Sequence, residues 1–249
     1  SPEIINCTIV NNSAFLGAGA FCSGKAAVFF TNCTISGNSA RLEAGGLYVD
    51  SRASAVLRNC IVWRNPGGSI TTPEYPGEVA VTFSCVEGKE VWPGEGNINK
   101  DPLFCGWPSA EVWVQDQEGF HEALSAFRYE LSENSPCLGS GFEGADMGSL
   151  GRGCTEARAR CVIHLAPGRY KITGFTLAHQ VSLLGAGSER SVLEGTVFGL
   201  RTGRELSDLT VTGGPYGGIV VPEGEAPKIT NCVVTGNKGG GIFCSKGSA

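Results

Sequence analysis

Short apolar runs alternate with turns rich in Asn and Gly along most of the chain, and four of these runs are copies of one unit. Within each copy the Cys and the residue two positions later are apolar and fall on the same face of a strand. No helical period separates the runs. The copies are INCTIVNN, TNCTISGN, RNCIVWRN and TNCVVTGN, which contain Cys7, Cys33, Cys60 and Cys232.

A second, Gly-rich motif accompanies the first one. It reads GAGAFCS, AGGLYVDS, GGGIFCS and, more loosely, YGGIVVP. The first three copies of the Cys motif are 26 and 27 residues apart. Repeats of this length with two or three short strands each are typical of a solenoid of stacked β-coils. The pattern therefore predicts an all-β chain.

An Asn precedes each repeated Cys, at a position where the strand must bend. Because stacked coils lie about 4.8 Å apart, these amides are predicted to hydrogen-bond along the stack as a ladder. The sequence NCT at 6–8 and 32–34 is also a glycosylation sequon, but the ladder interpretation is favoured because these positions do not lie in loops. A later Asn in each copy (11 or 12, 38, 65 and 237) marks the next turn. The predicted ladder consists of Asn6, Asn32, Asn59 and Asn231.

These motifs resemble the right-handed parallel β-helix of the pectate-lyase-like superfamily. More specifically, they are similar to secreted and surface β-helix repeat proteins of bacteria, whose coils read NCTIxxNSA followed by GGG. The resemblance covers nearly the whole chain and implies a right-handed parallel β-helix solenoid. It is specific for the fold and does not specify an activity.

The middle of the chain loses the repeat and resembles the closing module of those proteins. VTFSCVEGKEVWPGEGNINKDPLF and FRYELSENSPCLGSGFEGADMGSLG carry this likeness, which implies an irregular cap that covers the sheet edges of the last coil. The four tryptophans, at 63, 92, 107 and 113, fall here and are expected to build a small aromatic core, with sugar stacking as the alternative. The predicted domains are 1–65 (β-helix coils), 66–153 (last coil and cap) and 154–249 (opening coils of a β-helix).

The third domain resembles a beginning rather than an end, because APGRY and LLGAGSERSVLEG are similar to opening coils. Both ends of the sequence therefore fall inside the repeat, and we expect the coils at the two ends to join. Three arrangements remain open: one period of a tandem protein, a chain that stacks head to tail into a filament, and a permuted monomer that closes on itself. The residues predicted at this seam are Ile5, Cys7, Cys22, Cys232, Ile242 and Cys244.

Cys22 and Cys244 occupy the same slot of the Gly-rich motif, which suggests a disulfide or a thiol pair across the seam. The alternative is that both are small apolar side chains of a core stack. Some disulfide pairing of undetermined connectivity is also expected in the cap and linker. The candidates there are Cys85, Cys105, Cys137, Cys154 and Cys161.

Composition limits the function. Eleven Cys favour an oxidising setting, so an extracellular or cell-surface location is expected, and the lack of a C-x2-C pair with only three His argues against a metal site. A net charge of −5 without a Lys/Arg cluster argues against nucleic acid as a partner. No apolar run of membrane-spanning length and no signal peptide is present, so we expect a mature or excised soluble segment without membrane insertion.

Candidate catalytic residues are sparse, and we predict no catalytic site and no cofactor. A Ca²⁺-dependent lyase needs several carboxylates on one coil face, but of the five Asp only Asp50 and Asp208 lie on recognisable coils. Glycosidase pairs are conceivable at Glu43 with Asp50 or at Glu194 with Asp208. The sequence favours a non-catalytic extracellular structural protein, a β-helix module joined head to tail into a filament or a tandem array. Its expected partner is itself or adjacent copies in a longer chain, and surface adhesion and a carbohydrate partner are further options. The alternative is a β-helix that binds or cleaves polysaccharide.

Overall fold

The computed structural model describes residues 1–50, 52–73, 77–172, 176–177 and 179–244. The chain forms two compact units, one of residues 1–105 with 129–157 and one of residues 106–128 with 158–249. In both units short strands pair in parallel with the strand one coil earlier or later. The predicted all-β solenoid is thereby confirmed.

In its described residues, the first unit contains sixteen strands and one turn of 3₁₀ helix, Phe142–Gly144. The strands are β1 (Glu3–Ile5), β2 (Thr8–Val10), β3 (Ser13–Leu16), β4 (Ala20–Cys22), β5 (Ala27–Thr31), β6 (Thr34–Ser36), β7 (Ser39–Glu43), β8 (Leu47–Val49), β9 (Ser54–Arg58), β10 (Ile61–Trp63), β11 (Ile70–Thr71), β12 (Glu78–Thr82), β13 (Cys85–Val86), β14 (Phe104–Gly106), β16 (Arg128–Ser132) and β17 (Arg152–Cys154).

The second unit contains one α-helix among its strands. Its elements are β15 (Glu111–Val114), α1 (Gln117–Ser125), β18 (Cys161–Leu165), β19 (Gly168–Lys171), β20 (Val181–Leu184), β21 (Ser191–Gly195), β22 (Glu205–Ser207), β23 (Thr210–Gly213), β24 (Ile219–Val221), β25 (Lys228–Thr230), β26 (Val233–Val234) and β27 (Ile242–Cys244).

Corresponding strands of successive coils form long parallel sheets. In the first unit the sheet orders are β1-β5-β9-β12, β2-β6-β10-β13 and β4-β8-β11, with a shorter pair β3-β7 and a separate sheet β14-β16-β17. In the second unit they are β15-β18-β20-β22-β25, β19-β21-β23-β26 and β24-β27. Apart from shifts in the pairs β3-β7 and β16-β17, the register is maintained from coil to coil, so that inward positions form columns of apolar side chains through the stack.

The columns of the first unit contain the repeated positions of the sequence. Cys33 and Cys60 are fully buried, as are Ile35 and Val62 two residues later. This is the face that strand alternation predicts. The column that precedes the Cys consists of Ile4, Phe30, Leu57 and Val81, which are aligned by strand pairing.

Between these columns the chain turns at the Asn that precedes the Cys. Asn6, Asn32, Asn59 and Asn231 all have positive φ angles, between 51° and 54°. Asn tolerates this left-handed conformation better than most residues because its short polar side chain can hydrogen-bond locally. The same position is filled by Asp208 in the preceding coil of the second unit, with φ 56°.

The far end of the first unit is covered by the chain that follows its last coil. The N–H groups of Phe83 and Val86 donate to the carbonyls of Glu95 and Ile98, and Ile98 N–H donates back to Ser84. The Asn97 amide adds a bond from its Nδ2 to the Val81 carbonyl, at 2.8 Å. These contacts close the sheet edges at this end, as the resemblance implied for a cap.

The remainder of the cap lies along the side of the stack instead of over its end. Phe142 N–H donates to Asn59 Oδ1 at 2.7 Å, and its ring packs under the Arg58 guanidinium. Further along, Ser149 N–H donates to Thr34 Oγ1, and Ser149 Oγ lies 2.6 Å from Thr8 Oγ1. Since Thr8 and Thr34 point outward from sheet β2-β6-β10-β13, this segment covers the outer face of that sheet.

The first coil of the second unit is covered by α1. Its N-cap Asp116 accepts a hydrogen bond from Gly119 N–H, and buried Phe120 packs edge-on against the Tyr170 ring of β19. The Gln117 side-chain amide accepts from Lys171 N–H and donates to Lys171 O, as a further strand would do. The helix thereby protects a sheet edge that would otherwise be open.

The assignment of residues 106–128 to the second unit differs from the predicted boundaries. The prediction placed this stretch inside a single cap of residues 66–153, whereas β15 pairs with β18 and α1 packs on β15 and β19. The stretch is thus the opening coil and end cover of the second unit. One predicted class of disulfide is confirmed: Cys105 and Cys154 are bonded within the first unit and span 49 residues.

Candidate assembly site

The first coil of the first unit is an open end. Its strands β1, β2, β3 and β4 each lie at the edge of a sheet. Apolar side chains are exposed on this coil, including Ile5 and Phe15, and Phe21 is 50% exposed although it stacks on the Tyr48 ring at 5.2 Å. Cys7 is exposed as well, whereas its column neighbours Cys33 and Cys60 are fully buried.

The last described coil of the second unit is also an open end. Strands β25, β26 and β27 lie at the edges of their sheets. Ile242 is 51% exposed, although Ile219, its partner in the preceding coil, is fully buried. Cys232 is half-buried and Cys244 is exposed. Among the residues that the structure describes, no further coil therefore covers the side chains at which the inward columns stop.

An amide ladder runs through the interior of the first unit. Asn38 is completely buried and donates from Nδ2 to the Ile9 carbonyl at 2.8 Å and to Asn65 Oδ1 at 3.1 Å. Asn12 donates to Asn38 Oδ1 from both its N–H and its Nδ2. This ladder uses the Asn that the sequence marked only as a turn.

The second unit has one rung of the same ladder. Asn237 Oδ1 accepts from Gly214 N–H at 2.8 Å, and Asn237 Nδ2 donates to the Val211 carbonyl at 3.2 Å. Gly214 takes the place of an Asn in the preceding coil. The ladder motif therefore reaches both open ends, at Asn12 in one unit and at Asn237 in the other.

The corner amides, which were predicted as the ladder, are bonded in a less regular way. Asn32 Nδ2 donates to Asn6 Oδ1 at 3.1 Å, and Asn231 Nδ2 donates to Asp208 Oδ1 at 3.1 Å. Asn59 Oδ1 instead accepts from the Phe142 N–H of the cap. These amides lie on the outside of the coil corners, where other parts of the chain compete for them.

The thiols of the inner column influence one another. A hydrogen bond with Cys60 lowers the pKa of Cys33 to about 7, and the same contact together with burial raises the pKa of Cys60. Burial raises the pKa of Cys22. Cys22 and Cys244 are both free thiols, so their pairing across a seam stays a prediction.

Two of the candidate carboxylates of an enzyme, Glu194 and Asp208, are engaged in other contacts. Glu194 Oε1 lies 2.6 Å from Arg169 Nε in a surface ion pair, and Asp208 accepts from Asn231. Within the described ranges no group of three or more His, Cys, Asp and Glu is arranged to hold a metal ion. In the same part of the chain no helix has the length and hydropathy needed to cross a membrane.

Comparison with known proteins agrees with the geometry of the coils. Residues 1–85, which span strands β1 to β12, match the family described as the right handed beta helix region. The protein is a right-handed parallel β-helix. No curated protein and no solved structure matches the chain. Similarity to other proteins therefore describes the fold of this molecule, the β-helix, and not its activity.

Proposed function

We propose that the protein is a non-catalytic, extracellular structural module that assembles head to tail through its two open coils. One observation carries the proposal: among the described residues, the first coil of the first unit and the last coil of the second unit expose strand edges together with apolar side chains. The open end of the first unit is its first coil, whereas the open end of the second unit is its last described coil. These two ends are complementary in chain direction, so a second copy continues the stack.

Exposed parallel strand edges promote pairing with other chains unless something blocks them. The two open ends expose apolar side chains such as Ile242 and Phe21, which a neighbouring coil would cover. Because the two surfaces differ, the contact between copies is heterologous, and a heterologous contact that does not close a ring produces an open polymer. A polymer of continuous β-helix is a stiff rod suited to a structural or adhesive role.

The proposed extracellular location is supported by the thiol chemistry. The Cys105–Cys154 disulfide belongs to the class of bond that persists in oxidising compartments, and eleven Cys are unusual for a cytosolic chain.

A second candidate function is carbohydrate binding, which Trp113 favours. Its side chain is 70% exposed and its ring lies parallel to that of His164, with centroids 4.0 Å apart. Exposed indole faces can stack on sugar rings. If this function is real, a polysaccharide will quench the fluorescence of the wild type but not of Trp113→Ala. Equal responses of the two proteins would exclude a platform at this residue.

Sedimentation velocity of the 249-residue chain over a wide range of concentration tests the leading proposal. The wild type is expected to form progressively larger species, and Ile242→Asp and Phe21→Asp are expected to remain monomeric because each places a charge at an open end. Val91→Asp is the matched control, since Val91 is 54% exposed but lies outside both end coils. A wild type that stays monomeric throughout, or a control that behaves like the end variants, would contradict the proposal.

A further inference from the structure

We infer that copies of this chain join in a single register, in which Asn12 of one copy occupies the ladder step directly after Asn237 of the other. This inference rests on the proposed function and adds the identity of the contacts at the joint. It follows from the hydrogen-bond pattern, the charges and the side-chain columns of the two open coils.

The ladder geometry repeats from coil to coil with a fixed rule. The backbone N–H at one step donates to the Asn Oδ1 of the next coil, as in Asn38 to Asn65 and in Gly214 to Asn237. The Asn Nδ2 of the next coil donates back to the carbonyl three residues before that step. Asn65 reaches Ile35 in this way, and Asn237 reaches Val211.

At the two open coils, the acceptor of one ladder bond and the donor of another lack a partner among the described residues. Within the part of the chain that the structure describes, Asn12 Oδ1 accepts no hydrogen bond and Asn237 N–H donates none. In the inferred register Asn237 N–H donates to Asn12 Oδ1, and Asn12 Nδ2 donates to the Val234 carbonyl. The joint thereby extends the existing ladder by one step, with the same atoms that form it elsewhere.

The same register brings opposite charges together. Glu3 lies three residues before the corner Asn6, and Lys228 lies three residues before the corner Asn231, so the two occupy the same outward slot of successive coils. Lys228 Nζ is already 3.1 Å from Glu205 Oε1 in the preceding coil. Stacking the next copy places its Glu3 on the other side of the Lys228 ammonium, which then lies between two carboxylates.

The side-chain columns also continue through the joint. Ile229 meets Ile4 and Val234 meets Ile9, which extends two apolar columns of the core. On the outer face Phe243 meets Phe21, which already stacks on Tyr48 with the rings nearly parallel, at 2°. The register also makes Cys244 a neighbour of Cys22 and Cys232 a neighbour of Cys7.

A slip of one residue is strongly disfavoured because strand side chains alternate between faces. It would turn the apolar side chains of the core columns outward and bring outward residues such as Glu3 into the interior. It would also separate Asn12 from Asn237. The register is therefore specified by the core, the ladder and the charges together.

Charge reversal tests the register separately from assembly itself. Glu3→Lys sets two cations against each other at the joint, and we expect it to weaken association about tenfold at low salt. The variant Glu3→Lys/Lys228→Glu/Glu205→Lys reverses all three charges and keeps every pairing, so association should return to within about threefold of the wild type. Glu78→Lys is the matched control, because Glu78 is an exposed strand residue of β12, which belongs to neither open coil. Circular dichroism and thermal unfolding establish that each variant is folded.

Association constants from sedimentation velocity decide the outcome. Weakening by Glu3→Lys with recovery in the triple variant supports the register. If the wild type associates but Glu3→Lys associates equally well, or if the triple variant does not recover, the register is overturned while assembly stands. A wild type that does not associate overturns the proposed function, and the register with it.

Discussion

In the first unit, one amide side chain per coil hydrogen-bonds to backbone groups that turn into the core. Asn38 combines complete burial with bonds to Asn12, Ile9 and Asn65, so it links three successive coils. A backbone carbonyl that turns into the core needs such a donor because no water is available there. The Asn ladder therefore supplies hydrogen bonds that the stacked coils need in their interior.

Asn38→Ala is expected to lower the free energy of unfolding by about 2–3 kcal/mol, since buried partners are left without hydrogen bonds. Asn12→Ala is the control at the open step of the same ladder and is expected to cost less than about 1 kcal/mol because Asn12 is exposed. Urea unfolding in dilute solution measures both values. Equal losses in the two variants would show that the buried ladder contributes nothing specific.

The buried thiols should make the protein sensitive to alkali. Burial raises the pKa of Cys161 to about 11 from an ordinary value of 9.0. The neutral thiol therefore contributes stability that is fully present below about pH 9 and is lost as the pH rises through 11. The unfolding midpoint should fall over this window, and Cys161→Ala should flatten part of that fall. Cys7→Ala, at an exposed position, is the control, and identical pH profiles for the two variants would contradict the assignment.

At the scale of elements, the two end covers act through different contacts: one buries an aromatic side chain, and the other forms backbone hydrogen bonds. Helix α1 buries Phe120 over the first coil of the second unit, and residues 95–98 pair with the last coil of the first unit. Each cover removes a sheet edge from solvent. Among the described residues, the edges of β1 to β4 and of β25 to β27 have no such cover, and these are the edges that the proposal pairs with a second copy.

Phe120→Ala should destabilise the second unit by about 3 kcal/mol, because a fully buried ring is lost from the helix that covers the coil. Glu122→Ala, on the exposed side of α1, should change stability by less than about 0.5 kcal/mol. Thermal unfolding of both variants makes the comparison. A similar loss in the two would mean that the stability depends on helix propensity and not on the cover.

Loss of the Cys105–Cys154 bond should destabilise the first unit. A disulfide that closes a loop of this size contributes roughly 2–4 kcal/mol, so Cys105→Ser/Cys154→Ser should lower the unfolding free energy by that amount. Cys244→Ser serves as the control, since that thiol is exposed and free. Unchanged stability in the double variant would indicate that the cap is held by packing alone.

The sequence predicts the coils well but not the covers. The burial of Cys33 and Ile35 is predictable because strand alternation and repetition are local signals. Both side chains are fully buried in the structure. The sequence assigns residues 117–125 to the cap and does not predict that α1 packs on β19. That contact joins residues 54 positions apart, such as Gln117 and Lys171. Nor does it separate the two Asn sets: the ladder Asn and the corner Asn look alike until the backbone shows which amide points inward.

At the scale of the whole molecule, the proposed polymer rests on two open coils, the first coil of the first unit and the last described coil of the second unit. In the proposal a second copy covers each of them. The residues that the sequence places at a seam lie on the two open coils, and their contact between copies stays a prediction: Ile5, Cys7, Cys22, Cys232, Ile242 and Cys244. Glu3 and Lys228 were not among them, although both lie three residues before a corner Asn, which an alignment of the coils shows.

Hydrogen–deuterium exchange of the 249-residue chain at rising concentration tests the central claim most directly. The account predicts that amides of β1 to β4 and of β25 to β27 exchange more slowly as the concentration rises, because both open coils are covered together in a head-to-tail contact. Amides of β9 and β10, inside the first stack, should not change. Exchange that is independent of concentration at both ends, or protection of one end alone, would contradict the account.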